Sequence, residues 1–126
     1  MIVLALTMAA QLVAASVAWA GEPVGRLIYF KHNACPWCAV FDEEVGGIYA
    51  QTDEGRELPM TTVNTLEDPD AFADLQKTVR LVPTFVILDR EGKERGRLRG
   101  YSHDFFWQQL GELIQPLRAQ SSPGKR

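Results

Sequence analysis

The only two cysteines of the chain lie in "KHNACPWCAV" (31–40), as Cys35 and Cys38 with Pro36 and Trp37 between them. Three chemistries fit such a pair: a redox dithiol, half of a metal site, or a disulfide that only braces the fold. On the first turn of a helix, cysteines at i and i+3 face one side, about 5–6 Å apart, so a disulfide forms with little movement. As a mere brace it would do little, because a four-residue ring removes little chain entropy. His32-x2-Cys35-x2-Cys38 has plausible metal spacing. A closed structural zinc site usually takes four ligands, and the one remaining histidine, His103, lies far along the chain. The dithiol is the leading expectation, and a metal or partner-binding module is the alternative from another class.

A redox dithiol assigns roles by position. A helix N-terminus presents free N–H groups and partial positive charge. Cys35, just before Pro36, would sit at that end, with its thiolate favoured and its pKa below about 8.5. Cys38 lies one turn further in and is less exposed. Cys35 is therefore expected to attack a disulfide, and Cys38 to resolve the mixed disulfide that results. Pro36 stiffens the loop. Trp37 has little room to bury itself there and is expected to be an exposed contact residue. Lys31 and His32 either stabilise the Cys35 thiolate by charge or are simply solvated.

The elements that must hold this pair are readable around it. "GRLIYF" (25–30) is a short apolar, β-rich run and reads as a buried strand. Residues 33–51 read as a helix with Asn33 or Ala34 near its cap, an apolar face of Val40, Phe41, Val45 and Ile48, and a bend at Gly46-Gly47. After an acidic loop, 58–65 read as a second strand. Residues 68–79 read as a helix capped by Asp68 with Pro69 at its first position. "TFVILD" (84–89) is a strand, "REGK" (90–93) a turn needing Gly92, and 94–101 its hairpin partner. Residues 102–118 form a closing helix opened by Ser102 or Asp104, with Phe105, Phe106, Trp107, Leu110, Leu113 and Ile114 in core or rim. Arg95, Arg97 and Arg99 alternate along one strand face, as a solvated face or a docking stripe. The order β-α-β-α-β-β-α predicts an α/β domain with a mixed four-stranded sheet flanked by helices.

The dithiol between strand and helix, "LVPTFVIL" (81–88) with Val82-Pro83-Thr84, and "LDREGKERGRLRGY" (88–101) together resemble the thioredoxin-like thiol–disulfide oxidoreductases over about residues 25–118. The resemblance implies a thioredoxin-like fold, a cis Pro83 packed with Val82 beside the dithiol, protein disulfides as substrates, no cofactor or bound metal, and a monomer. Asp42, four residues after Cys38, and "LRGY" (98–101) are similar to exported bacterial members, including the SoxS type of sulfur-oxidation gene clusters. Two departures stand out. Cytoplasmic thioredoxins have Trp-Cys-Gly-Pro-Cys, and they carry an Asp six residues before the first cysteine as proton acceptor for the second. Here the run is Ala-Cys-Pro-Trp-Cys, and the earlier position is Tyr29. Asp42 is the expected replacement base, its ordinary alternative being a solvated carboxylate.

The formal net charge of −3 argues against nucleic-acid binding. Residues 1–20 hold no charged side chain and end in Ala18-Trp19-Ala20, a pattern that suits signal-peptidase cleavage, although no Lys or Arg precedes the run. A cleaved export signal is expected, an N-terminal anchor being the alternative. Either places a domain of residues 21–118, followed by a frayed tail (119–126), in an oxidising space such as the periplasm. The bare domain has no room for the helical insertion of DsbA-like oxidants or the dimerisation domain of DsbC-like isomerases. The resemblance thus implies a reductant fed by a membrane electron carrier of the DsbD or CcdA kind. An oxidant or isomerase working through the same dithiol is the alternative.

Overall fold

The computed structural model describes residues 22–121. The expected signal or anchor over residues 1–20 lies outside them, as does the end of the chain from residue 122. The elements run β1 (Gly25–Lys31), α1 (Pro36–Phe41), a π-helical turn (Asp42–Gly46), a 3-10 turn (Tyr49–Gln51), α2 (Asp53–Glu57), β2 (Met60–Asn64), α3 (Ala73–Gln76), β3 (Thr84–Asp89), β4 (Glu94–Arg99) and α4 (Phe106–Ser121). One mixed sheet has the order β2-β1-β3-β4. β1 pairs with β2 in parallel and with β3 antiparallel, and β3 pairs antiparallel with β4. This is the expected α/β thioredoxin-like architecture.

Every residue of β3 is buried, as are Ile28 to Phe30 in the middle of β1. That is why both strands read as continuous apolar runs rather than alternating ones. Alternation instead sorts side chains between two cores. Leu27, Tyr29, Phe85 and Ile87 join Phe41, Val45, Phe106, Leu110 and Ile114 on the face covered by α1 and α4. Ile28, Phe30, Val86 and Leu88 meet Val63, with Phe72 and Leu75 packed against them, on the other face. Gly92 closes the β3–β4 turn at φ 81°, a dihedral that glycine adopts without strain. Asp89 holds that turn, its Oδ1 accepting from the N–H groups of Glu91 at 3.0 Å and Lys93 at 2.9 Å.

Four local expectations are corrected. The helix expected over residues 33–51 stops at Phe41 and passes through a π-helical turn before Gly46 and Gly47 end it. The acidic loop after it contains a short helix capped by Thr52, whose Oγ1 accepts from Gly55 N–H at 3.0 Å. Glycine is required at 55, where a Cβ would lie 1.8 Å from the Tyr49 carbonyl oxygen. The helix expected over residues 68–79 is reduced to Ala73–Gln76, preceded by Phe72 in the left-handed region at φ 49°. The Gln76 amide donates to the carbonyls of Asp68 and Ala71, so side-chain bonds and packing of Phe72 against the sheet replace the Asp68 cap and the first turns. The closing helix starts at Phe106 and runs to Ser121 rather than spanning 102–118, although the Ser102 carbonyl still accepts from the Phe106 N–H at 3.0 Å.

Candidate redox site

β1 delivers the chain at Lys31 into the loop that opens α1. Cys35, not Asn33 or Ala34, is the N-cap, and Pro36 occupies the first turn, where its missing N–H costs nothing. The Cys38 N–H donates to Cys35 Sγ at 3.1 Å, and the Ala39 N–H to the Cys35 carbonyl at 3.1 Å. Cys35 and Cys38 form a disulfide with Cα atoms 5.2 Å apart, inside the range expected of an i, i+3 pair. Their exposures differ as expected, 7% for Cys35 and 1% for Cys38. The N–H that now reaches Cys35 Sγ is the donor that would stabilise a Cys35 thiolate after reduction. Trp37 between them is 61% exposed. The arrangement suits thiol–disulfide exchange: one sulfur at the rim, its partner enclosed behind it.

The other side of the site comes from the start of β3. Phe30 pairs with Thr84, so the chain segments just beyond them, with the dithiol loop on one and Pro83 on the other, leave the sheet at the same end. The Val82–Pro83 peptide is cis, as the resemblance implies. Thr84 Oγ1 donates to the Leu81 carbonyl at 2.7 Å, and the Gly100 N–H to the Pro83 carbonyl at 2.7 Å. These bonds fix the loop on both sides of the proline. Val82 is half-buried and packs against both cores.

Asp42 begins the π-helical turn directly after α1. Its Oδ1 accepts from the Tyr29 hydroxyl at 3.0 Å, and its Oδ2 pairs with Lys31 Nζ. The same Tyr29 hydroxyl lies 3.2 Å from the Cys38 carbonyl oxygen. Burial first, then the bond to Asp42 and its charge, push the Tyr29 phenol far above its ordinary value, so it stays a protonated donor. Lys31 thus serves Asp42 rather than standing free for Cys35. His32 is half-buried, with its Nδ1 enclosed and without a hydrogen-bond partner. Asn33 turns toward the loop after β2: it donates to Glu67 Oε1 at 3.0 Å and accepts from Asn64 Nδ2 at 2.9 Å. This network holds the loop that carries exposed Leu66.

The arginine stripe of β4 is largely spoken for. Arg97 makes two bonds to the Glu94 carboxylate, at 2.6 and 2.7 Å, and Arg95 approaches Asp89 at 3.5 Å. The register shift opposite Ile87 and Leu88 breaks the simple alternation. A cluster unseen in the sequence joins the π turn to the end of β4. Glu44 Oε2 accepts from the Tyr101 hydroxyl at 2.5 Å and lies 2.9 Å from His103 Nδ1. The bonds from Tyr101 and then His103 lower the Glu44 pKa, and Glu44 raises that of His103. Burial and Glu44 push Tyr101 up to about 12. Buried tyrosines need a hydroxyl partner, which was the one sequence signal for Tyr29 and Tyr101. Nothing in spacing alone paired Lys31 with Asp42.

Among the described residues no three His, Cys, Asp or Glu side chains cluster as metal ligands, and no helix is long and apolar enough to cross a membrane. A groove of about 680 Å³, lined by Gly25, Phe72, Leu75, Leu88 and Arg90 among others, includes none of the dithiol residues.

No protein-family model matches the chain, and no curated protein does. Solved structures do. The periplasmic thioredoxin SoxS of Paracoccus pantotrophus, in its reduced form, is 36% identical over 71% of this chain and 95% of its own, with a TM-score of 0.60. Thioredoxin 1 of Thermosipho africanus is 24% identical over 77% of this chain and 99% of its own, at 0.56. A thioredoxin of Thermus thermophilus is 20% identical over 78% and 79%, also at 0.56. The last two show the fold alone.

Proposed function

The chain belongs to the thioredoxin family of thiol–disulfide oxidoreductases, and on that premise we propose that it is an exported reductant of protein disulfides. Cys35, as thiolate, attacks one sulfur of a partner disulfide and releases the partner's other sulfur as a thiolate. Cys38 then attacks Cys35 Sγ, breaking the mixed disulfide and leaving the partner dithiol and the Cys35–Cys38 disulfide. Two electrons pass to the partner. The observation that carries this reading is the pair itself: a 7% exposed Cys35 as N-cap and a 1% exposed Cys38 behind it. Pro36 and the Val82–Pro83 peptide shape the rim, Trp37 supplies contact surface, and Asp42 is assigned to support Cys38 and His32 to support Cys35.

Export rests on the uncharged run ending in Ala18-Trp19-Ala20 and on the periplasmic description of the 36% identical SoxS. In that compartment the electrons come from a membrane carrier of the DsbD or CcdA kind. The target is a cysteine-bearing sulfur carrier of sulfur oxidation or a cytochrome c maturation factor. The protein works as a monomer, without cofactor or metal.

Equilibration with glutathione or a reference thioredoxin tests the direction. A potential near about −270 mV supports a reductant, and one near about −120 mV makes the protein an oxidant instead. Cys38→Ser should accumulate a covalent partner through Cys35. Failure to trap any cysteine-bearing protein from an export compartment counts against the proposed substrates.

A further inference from the structure

The strand ends nearest the dithiol stand in one row. In the order β2-β1-β3-β4, Asn64 pairs with Lys31, Phe30 with Thr84, and Thr84 with Arg99. The dithiol loop leaves from β1, between the loop after β2 on one side and the Pro83 segment with the end of β4 on the other. These two banks differ in charge. We infer that Arg80 and Arg99 form a cationic docking bank beside Val82, which selects and orients a partner protein whose cysteine segment carries Asp or Glu on one flank. This names the substrate class of the dithiol reaction proposed above and rests on it.

Residues 78–83 are pinned to β4 at both ends. Arg97 Nη2 donates to Thr78 Oγ1 at 3.0 Å, and the Gly100 N–H donates to the Pro83 carbonyl at 2.7 Å. Arg80 therefore lies on the stretch that runs along the end of β4, where Arg99 stands opposite Thr84. Gly100, at φ 80°, then turns the chain, so that Tyr101 enters the aromatic core while Arg99 stays outside it. Both arginines are exposed, and neither makes a hydrogen bond or ion pair among the described residues. Leu81, 46% exposed, and half-buried Val82 follow Arg80 and add apolar surface. Val82 packs against the core that holds both cysteines, which brings this bank to the site.

The neighbouring cations are already engaged. Arg97 is bonded twice to Glu94, Arg95 approaches Asp89, and Lys77 pairs with Asp74 at 3.5 Å. Glu94, whose charge reaches Arg99, is the carboxylate that Arg97 holds. Residues 78–83 and 97–101 contain no Asp or Glu, although the chain as a whole carries a formal charge of −3. The positive field on this bank is therefore local and belongs to Arg80 and Arg99.

The opposite bank has the other sign. Glu67, Asp68 and Asp70 are exposed on the loop after β2, and residues 64–76 contain no Lys or Arg. Asn33 and Asn64 hold Glu67 beside the dithiol loop. An acidic side chain flanking the target cysteine is attracted by one bank and repelled by the other. Rim charges of this kind act on the rate of encounter and on register more than on affinity. Here they decide which cysteine segment is presented to Cys35, and in which direction.

Two end-blocked peptides of identical composition test this, each a homodimer joined through a single cysteine. One carries a pair of Asp before the cysteine and a pair of Ser after it; the other has the reverse order. Reduction by dithiothreitol corrects for their intrinsic reactivity, and the readout is the ratio of their rates with the reduced protein. One order should react about tenfold faster at low salt, at the low end of what charge steering supplies. The ratio should fall toward one at about 1 M salt, where the screening length is about 3 Å. The double variant Arg80→Gln, Arg99→Gln should lose most of the ratio while melting close to wild type, since both side chains are exposed. Arg26→Gln removes an exposed cation at the far end of β1 and should keep the ratio. Equal rates for the two orders, or a preference that survives in the double variant, overturn the inference. An equal loss in Arg26→Gln overturns it too, by making net charge the cause. A wild-type protein that reduces neither peptide overturns the oxidoreductase reading itself, a result distinct from equal, finite rates.

Discussion

The two faces of the central sheet are built differently. On the face that receives α1 and α4, aromatic rings predominate: Phe41 lies 4.7 Å from Tyr29, 4.6 Å from Phe85, 5.4 Å from Tyr101 and 5.3 Å from Phe106. Two of these rings carry hydroxyls that reach polar groups at the end of α1 and in the π turn. The opposite face is mainly aliphatic, with Ile28, Val63, Val86 and Leu88 around Phe30, and its helical cover is the four residues of α3. None of its buried members carries a hydroxyl or a charge. The aromatic face shares its core with Cys35 and Cys38 and is therefore expected to couple packing to the state of the dithiol, whereas the other supplies hydrophobic support.

Phe41→Ala should break that contrast most severely. The ring is fully buried at the end of the dithiol helix, and its loss should cost about 3–5 kcal/mol in denaturant melts while also shifting the equilibrium with glutathione. A destabilised variant with an unchanged redox equilibrium would refute the coupling. Trp37→Ala removes an exposed ring that neither face uses. Stability should stay within about 0.5 kcal/mol, while the rate with a protein disulfide falls about tenfold, as for an interface anchor. Equal loss with a small disulfide would mean Trp37 acts on the sulfurs and not on docking. Ile28→Val on the aliphatic face should cost about 0.5–1.5 kcal/mol and leave the redox equilibrium where it was; a shifted equilibrium would erase the distinction between the faces.

The smallest expected effect is a pH dependence at the rim of the aromatic face. His103 has its pKa raised from 6.5 by the bond to Glu44, so its contribution is full below that value and fades as pH rises through the raised one. Glu44, lowered from 4.5 by Tyr101 and His103, contributes above that value and loses its contribution as pH falls through the lowered one. His103→Gln should therefore melt slightly below wild type near about pH 6 and match it well above the ordinary histidine range. The same difference at both pH values would show that the ion pair is not its source.

The strands and the dithiol were legible because their signals are local. "GRLIYF" and "TFVILD" are apolar throughout since both sheet faces are covered, and Gly92 marks its turn by chemistry. Tertiary contacts overrode the local signals elsewhere. Pro69 after Asp68 promised a helix start, but Phe72 turns left-handed where it meets the sheet. Val40, Phe41, Val45 and Ile48 promised one long helix, but the chain changes pitch at Asp42, where its carboxylate meets Tyr29 and Lys31. Within the site, Cys35, Cys38 and Pro83 could be chosen from motifs. The partners of Asp42 could not, because β1 reaches it only through the fold.

The disulfide joins residues three apart in sequence, whereas β1 meets β3 by pairing Gly25 with Asp89. In order of assembly these contacts stand at opposite ends: a ring this small needs no sheet, while distant strand pairing is the slow part of folding. Under oxidising conditions an unfolded chain can thus hold its sulfur–sulfur bond before it holds its shape. At that stage the bond is an ordinary solvent-exposed disulfide. Only when β1 and β3 come together do Cys38 lose its access to water and Tyr29 arrive beside its carbonyl, so the chemical character of the bond is something the chain acquires late.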